Sequence, residues 1–194
     1  MKYVIMADGR GSRWNNYKGV PKHLALVCGE PIIGRTVRML YELTEDDKII
    51  ITSHDTRYDF PPATRYEPMD NKLEIDRFTY ELIENETCFL YGDTIYKEEA
   101  LRKIVNSKPR DLLFFGNRKS IVAISIADAE MFRFYFEKVK SLFLDGKISE
   151  CKGWQIYKLA TGQEIDSQAE LIEKFVLLDD GTRDFNTPEE YDKL

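Results

Sequence analysis

Short apolar runs alternate with amphipathic stretches along almost the whole chain, and this alternation constrains the fold more than any other feature. Lys2–Met6, Lys48–Ser53, Cys88–Tyr91, Asp111–Phe115, Ser120–Ile126 and Phe175–Leu178 are short and apolar, and read as buried strands. Between them, Pro31–Leu43, Leu73–Ile83, Lys97–Asn106, Ala129–Phe143 and Gly153–Ala160 read as helices, and a last helix is expected from Pro188. Phe132, Phe136, Val139 and Phe143 recur at three- and four-residue steps, a spacing that marks a core face rather than a cofactor site. Such alternation implies a mostly parallel sheet covered by helices. Ligands of such sheets bind beyond the carboxyl ends of the strands. There is no internal repeat or linker, and 194 residues make one domain the default.

Composition narrows the function classes. A chain that is 43% hydrophobic and 32% charged is neither disordered nor a disulfide scaffold. No apolar run is long enough to span a membrane, and the N-terminus carries no apolar leader, so the cytoplasm is the expected compartment. Cys28, Cys88 and Cys151 are far apart, and with His23 and His54 they give no zinc spacing. Buried, reduced thiols are expected. The net charge of −6 argues against broad nucleic-acid binding. Residues 1–40 run the other way, with seven lysines and arginines against two acids. That segment is either a site for a local anion or a chance cluster on a solvated surface.

The first strand runs directly into Ala7-Asp8-Gly9-Arg10-Gly11-Ser12-Arg13. Two glycines allow a sharp turn that brings backbone N–H groups close to an anion. Arg13 adds a planar, permanently charged fork suited to phosphate oxygens. The P-loop string is absent, and the dinucleotide fingerprint fails because position 14 is Trp. On its own the segment is equally a tight turn with a surface arginine.

Pro21-Lys22-His23-Leu24 follows a few residues later. Together these segments match G-x-G-[ST]-R followed by P-K-x-L, and resemble the nucleotidyltransferases of the sugar-phosphate and MobA-like type. Gly29-Glu30-Pro31-Ile32-Ile33 continues the match into the first long helix. The resemblance implies a single Rossmann-like, three-layer α/β/α domain with a mostly parallel, mixed sheet of the GT-A-like kind. Residues 1–115 would form its nucleotide-binding part, and residues 116–194 its acceptor side and C-terminal metal ligand. It also implies transfer of a nucleoside monophosphate from an NTP to a sugar, polyol or alcohol phosphate, with release of pyrophosphate. Ala7, Asp8, Gly9, Gly11 and Ser12 would then surround the nucleotide. Arg13 would hold the β- and γ-phosphates, and Lys22 would neutralise the α-phosphate. Such transfer asks a protein mainly for positioning and charge compensation. One residue departs from the pattern. The family reads A-A-G or A-G-G where this chain has Ala7-Asp8-Gly9, so Asp8 could point away, recognise the base or repel the triphosphate.

Two acids complete the expected site. Cys88–Tyr91 delivers Gly92-Asp93 to the ligand edge, similar to the family's "GD" metal motif. Asp184-x-Asn186-Thr187-Pro188-Glu189-Glu190 resembles its "D-x-N-T-P-E-D". Thr187 reads as a helix N-cap, and Asn186 through Glu190 are explained by the helix start alone. Asp93 and Asp184 are therefore the expected ligands of Mg²⁺, or of Mn²⁺ in its place. Glu67–Lys72 and Arg77 could line the nucleotide or acceptor. Gly116–Lys119 reads as a hairpin turn, and Trp154 as a core residue. A glycosyltransferase of related fold is the competing enzyme class, but the chain lacks its D-x-D. A catalytically inactive nucleotide-binding module is the third reading, supported by Asp8. These motifs set neither the base, the acceptor nor the oligomeric state.

Overall fold

All six apolar runs form strands, and the layers follow from which way their side chains alternate. The computed structural model describes residues 1–9, 11–44 and 47–193. In chain order the elements are β1 (Lys2–Met6), a small hairpin of β2 (Leu26–Val27) and β3 (Glu30–Pro31), α1 (Ile32–Thr44), β4 (Lys48–Thr52) and β5 (Thr64–Tyr66). Then come β6 (Thr87–Tyr91), β7 (Thr94–Ile95), α2 (Glu98–Asn106), β8 (Leu112–Gly116), β9 (Ile121–Ile126), α3 (Ala129–Leu144) and α4 (Gly153–Ala160). The chain closes with β10 (Phe175–Leu177), β11 (Arg183–Asp184) and α5 (Pro188–Tyr191).

Seven strands form one sheet in the order β10-β8-β9-β6-β1-β4-β5. β9 runs antiparallel to both β6 and β8, and the other pairings are parallel. Successive side chains of a strand point to opposite faces. Tyr3 and Ile5 accordingly join a core with Ile33, Val37 and Leu40 of α1 and Leu101 and Ile104 of α2. Val4 and Met6 join the opposite core with Phe132, Phe136 and Val139 of α3 and Ile156 and Tyr157 of α4. The result is the expected three-layer α/β/α arrangement around a mixed, mostly parallel sheet. Among the described residues no helix is long and apolar enough to cross a membrane.

Two local expectations are corrected. Leu73–Ile83 is not one helix but two 3-10 turns, Glu74–Phe78 and Tyr80–Leu82. They break at Thr79, which sits at φ 38° and ψ 86°. The Asp76 carboxylate accepts from the backbone N–H groups of Lys72 (3.0 Å) and Leu73 (2.8 Å), fixing the tight first turn. Ile75, Phe78, Leu82 and Ile83 still reach the core, so the apolar spacing is met without an α-helix. Cys28 is the second correction. It is exposed, in the turn between β2 and β3, whereas Cys88 and Cys151 are buried; all three are free thiols.

A third, smaller core bears directly on the site. Trp14, Ala25, Ile32, Ile95 and Phe185 pack together and join the loop after β1 to the C-terminal segment. Trp14 is 2% exposed, its Nε1–H donates to the Val20 carbonyl (2.7 Å), and its ring meets Phe185 and Tyr191 edge-on. Trp14→Ala is expected to cost about 3–5 kcal/mol, as other buried aromatic truncations do. The midpoint of urea unfolding measures it, and an unchanged midpoint would show that the staple carries no stability.

Candidate active site

The carboxyl ends of β1, β4 and β6 lie side by side, since Met6 pairs with both Thr52 and Tyr91. β9 is antiparallel, so its start, with Ser120 just before it, lies at the same edge. β11 pairs with β7, Asp184 opposite Thr94, and this returns the C-terminal segment to the loop after β1. A polar cleft follows from this convergence. Gly9, Gly11, Ser12, Arg13, Lys22 and Asp93 line its centre. Ala7 and Asp8 line its extension toward β4, and Asp184 lines the opposite extension. All nine residues singled out in the sequence therefore face one connected depression. Arg10, in the same loop, lies outside the described residues.

Two glycines are required by the geometry. Gly11 has φ +58°, and its carbonyl accepts from the N–H groups of Trp14 (2.9 Å) and Asn15 (3.2 Å), closing the turn. At Gly92 a Cβ would stand 2.7 Å from the Met6 carbonyl oxygen and 3.2 Å from His23. This close approach sets Asp93 immediately beyond the paired ends of β1 and β6.

The charged groups in the cleft bind one another. Lys22, in a 3-10 turn after Pro21, forms an ion pair with Asp93, with only 10% and 14% of their side chains exposed. Burial pushes the Asp93 carboxyl up, but the Lys22 ammonium beside it outweighs this and holds it below its usual value. Arg13 donates to the side-chain oxygen of Asn186 (2.9 Å), and Lys22 approaches the same oxygen at 3.4 Å. The Asn186 amide nitrogen donates to Asp184 (3.0 Å), whose other oxygen accepts from the Ser120 hydroxyl (2.8 Å). Asn186 thus links both cations to the second carboxylate. The sequence reading explained Asn186 by the helix start alone, and this is a correction. Its backbone N–H does bind Glu190 in the capping box of α5, but its side chain belongs to the cleft.

Asp8 turns away from this cluster. Its carboxylate accepts from the backbone N–H of His54 (3.0 Å), from His54 Nδ1 (2.9 Å) and from the Asn71 side-chain amide (2.7 Å). It ties together the loops after β1 and β4 and the segment before the 3-10 turns. Those donors hold its charge away from the cationic centre. Arg77 approaches from that last segment, with its guanidinium about 3.5 Å from where a Gly9 Cβ would lie. Arg77, named in the sequence as a candidate lining residue, does line the cleft, and Asn186 is the main site residue absent from the expected set. Its string was legible as a helix start, but its place in the cleft is set by the long-range pairing of β11 with β7.

His23 faces the cleft but is 7% exposed. Burial pushes its pKa down to about 4, and its Nδ1 lies 3.0 Å from the Tyr58 hydroxyl. The unfolded histidine takes its proton near 6.5. Between these values the unfolded chain binds the extra proton, so stability falls as pH falls from 6.5 toward 4. The full loss is about 3 kcal/mol, reached below both values and absent above the higher one. Urea unfolding across this window checks it, and the His23→Gln variant is expected to show a shallower slope.

On the far side, Asn117 accepts from the N–H groups of Lys119 (2.8 Å) and Ser120 (2.9 Å), so residues 117–120 form the expected turn. Trp154 stacks on Phe175, with planes 6° apart and centroids 5.8 Å apart. It is half-buried and also lines the cleft beside Arg77 and Asp184. It is therefore both a packing residue and a wall of the site. Asp93 and Asp184 supply hard oxygen donors, and the Lys22 ammonium already rests on Asp93 as a cation. Among the described residues no group of three His, Cys, Asp or Glu forms a cage. A carboxylate pair beside a phosphate-sized, cationic cleft fits Mg²⁺, which takes one or two carboxylates with phosphate oxygens and waters.

No protein-family model and no curated protein sequence matches the chain. Solved structures do. CTP:phosphocholine cytidylyltransferase from Streptococcus pneumoniae superposes with a TM-score of 0.64 at 15% identity, over 99% of this chain and 96% of that one. UDP-glucose pyrophosphorylase from Acinetobacter baumanii gives 0.64 at 12% identity, over 99% and 90%. The 4-diphosphocytidyl-2C-methyl-D-erythritol synthase from Anaerococcus prevotii gives 0.63 at 13%, over 97% and 91%. The likeness is one of fold, and it covers essentially the whole chain. The expected GT-A-like α/β architecture is thereby shown.

Proposed function

We propose that this chain is a nucleotidyltransferase. It moves a nucleoside monophosphate from an NTP to a phosphorylated small molecule, a sugar, polyol or alcohol phosphate, and releases pyrophosphate. One observation carries the reading: Arg13, Lys22, Asp93 and Asp184 are locked together, through Asn186, at the carboxyl edge of the sheet. Two cations and two carboxylates suit a polyanion and its counter-ion better than a neutral ligand. The neighbours' names, a cytidylyltransferase and a pyrophosphorylase among them, point the same way.

In this reading Gly9, Gly11 and Ser12 wrap the triphosphate with backbone donors, and Ala7 and Asp8 border the nucleoside. Arg13 holds the β- and γ-phosphates, which leave together as pyrophosphate. Lys22 exchanges its Asp93 partner for the α-phosphate and offsets the charge that builds there. The acceptor phosphate approaches from the Arg77 and Lys119 side, so that its oxygen attacks phosphorus in line, without a covalent protein intermediate. Asp93 and Asp184 would hold the divalent ion, Mg²⁺ or Mn²⁺. When bound, it screens the phosphate charges and fixes their orientation. Residues 1–115 then serve mainly the nucleotide, and residues 116–194 the acceptor and the second carboxylate. Asp8, the feature that favoured an inactive module, is hydrogen-bonded by its own donors, turned away from Arg13 and Lys22.

The test measures pyrophosphate release, with a coupled pyrophosphatase, over four NTPs crossed with a panel of sugar, polyol and alcohol phosphates. Release that needs both substrates and is lost in Arg13→Ala supports the reading. Release of a nucleoside diphosphate from nucleotide sugars would support the glycosyltransferase instead.

A further inference from the structure

Next to the phosphate-sized centre lies a second cavity of about 300 Å³, between the loops that follow β1 and β4. It shares Gly9, Gly11 and Lys22 with the centre, so a nucleoside whose phosphates lie there reaches into it. Its far wall carries Asp8, His54 and Asp55.

We propose that Asp8 and His54 read the nucleobase, and that this wall selects a base with an amine at C4 of a pyrimidine or C6 of a purine, cytosine or adenine, over its keto counterpart. The inference rests on the nucleotidyl-transfer reading and adds which nucleotides it uses. The Asp8 side chain is 10% exposed and receives three donors: His54 N–H, His54 Nδ1 and the Asn71 amide. A carboxylate so surrounded is a pure acceptor, so the proton of the His54 ring must sit on Nδ1. With that as its one proton, the ring presents a lone pair at Nε2, and His54 is 53% exposed, free to meet a ligand. Asp55 is likewise an acceptor, held in place by Arg57. Among the described residues the one lysine in the lining, Lys22, stands at the phosphate end and faces Asp93. The wall is therefore rich in acceptors. An amine on the base donates to it, whereas a keto oxygen in the same position meets lone pair with lone pair. Asp8 acts through His54 and is a positioning residue; His54 makes the contact.

Two pairs of nucleotides isolate this contact. CTP and UTP differ in a 4-amino or 4-keto group and ATP and ITP in a 6-amino or 6-keto group, each exchange also adding a proton to the adjacent ring nitrogen of the keto member. Calorimetric titration with Mg²⁺, at about pH 8.5 where an ordinary imidazole is uncharged, compares the members of each pair. In whichever pair binds, the amino member is expected to bind at least about tenfold more tightly. His54→Phe, at an exposed position, and Asp8→Asn are each expected to bring the ratio to within about threefold. A merely structural role would weaken both members alike and leave the ratio unchanged, and that result would overturn the inference. So would equal or tighter binding of UTP or ITP by the unaltered protein, or tight binding of GTP or dTTP alone, although these leave nucleotidyl transfer standing. If no NTP binds, nucleotidyl transfer itself fails and the inference fails with it.

Discussion

Lys22→Met is expected to cut turnover at least about 10²–10³-fold, the usual cost of removing one preorganised charge donor from a reacting centre. The stem keeps its volume and only the ammonium is lost. The same change should destabilise the fold, because the Asp93 carboxylate is left without its partner while only 14% exposed. Breaking a buried pair from one side costs about 3–5 kcal/mol. Asp93→Leu strands the ammonium instead, close to Arg77, and should cost a similar amount. The double variant Lys22→Met/Asp93→Leu removes both charges, and apolar replacement of a whole buried pair is often neutral. Its stability should therefore lie well above the sum of the two losses, while its activity stays as low as that of either single variant. Urea unfolding of the four proteins gives the coupling, and pyrophosphate release gives the activity. Strict additivity in stability would mean that the pair is not coupled. Near-normal turnover in Lys22→Met would remove Lys22 from the chemistry.

The pair also illustrates what a sequence can disclose. Lys22 and Asp93 are 71 positions apart. Each was legible because a local motif carries it: Pro-Lys after the glycine loop, Gly-Asp after an apolar strand. Six strands and all five α-helices were legible for the same reason, since periods of two and of 3.6 residues are local signals. A sixth expected helix, over residues 73–83, failed because its apolar spacing suits successive 3-10 turns as well as an α-helix. β5 went unseen because Thr64–Tyr66 is a three-residue edge strand without an apolar run. The exposure of Cys28 depends on a turn between two-residue strands, which leaves no pattern. Asn186 is brought to the cleft by the pairing of β11 with β7, which only the folded chain makes. Asp8 shows the limit from the other side. The sequence marked it as unusual, but His54 and Asn71, 46 and 63 residues away, decide what its charge does.

Asp184 is expected to show the second large effect, with a readout that separates charge from scaffold. Its backbone is held by pairing with Thr94, so changing the side chain should leave the segment in place. Loss of the carboxylate frees the Ser120 hydroxyl and the Asn186 amide nitrogen in a half-buried site, at a cost of about 1 kcal/mol. That is small beside the predicted fall in turnover of about 10²-fold or more for Asp184→Ala, if the carboxylate supports a divalent ion against the phosphates. Asp184→Asn distinguishes the two roles. Its NH2 then faces the Asn186 donor, a loss that Asn186→Ala reports by itself, but the amide oxygen can still accept from Ser120, so the Ser120 scaffold role is rescued. It cannot supply the charge, so a cation-holding role is not. The expected result is that Asn is nearly as inactive as Ala, and that both raise the Mg²⁺ concentration needed for half-maximal activity. Asn186→Ala keeps the carboxylate but unties it from Arg13, and should weaken nucleotide binding more than turnover. Near-normal activity in Asp184→Asn at low Mg²⁺ would reduce Asp184 to a hydrogen-bond anchor, leaving Asp93 as the sole carboxylate facing the phosphates.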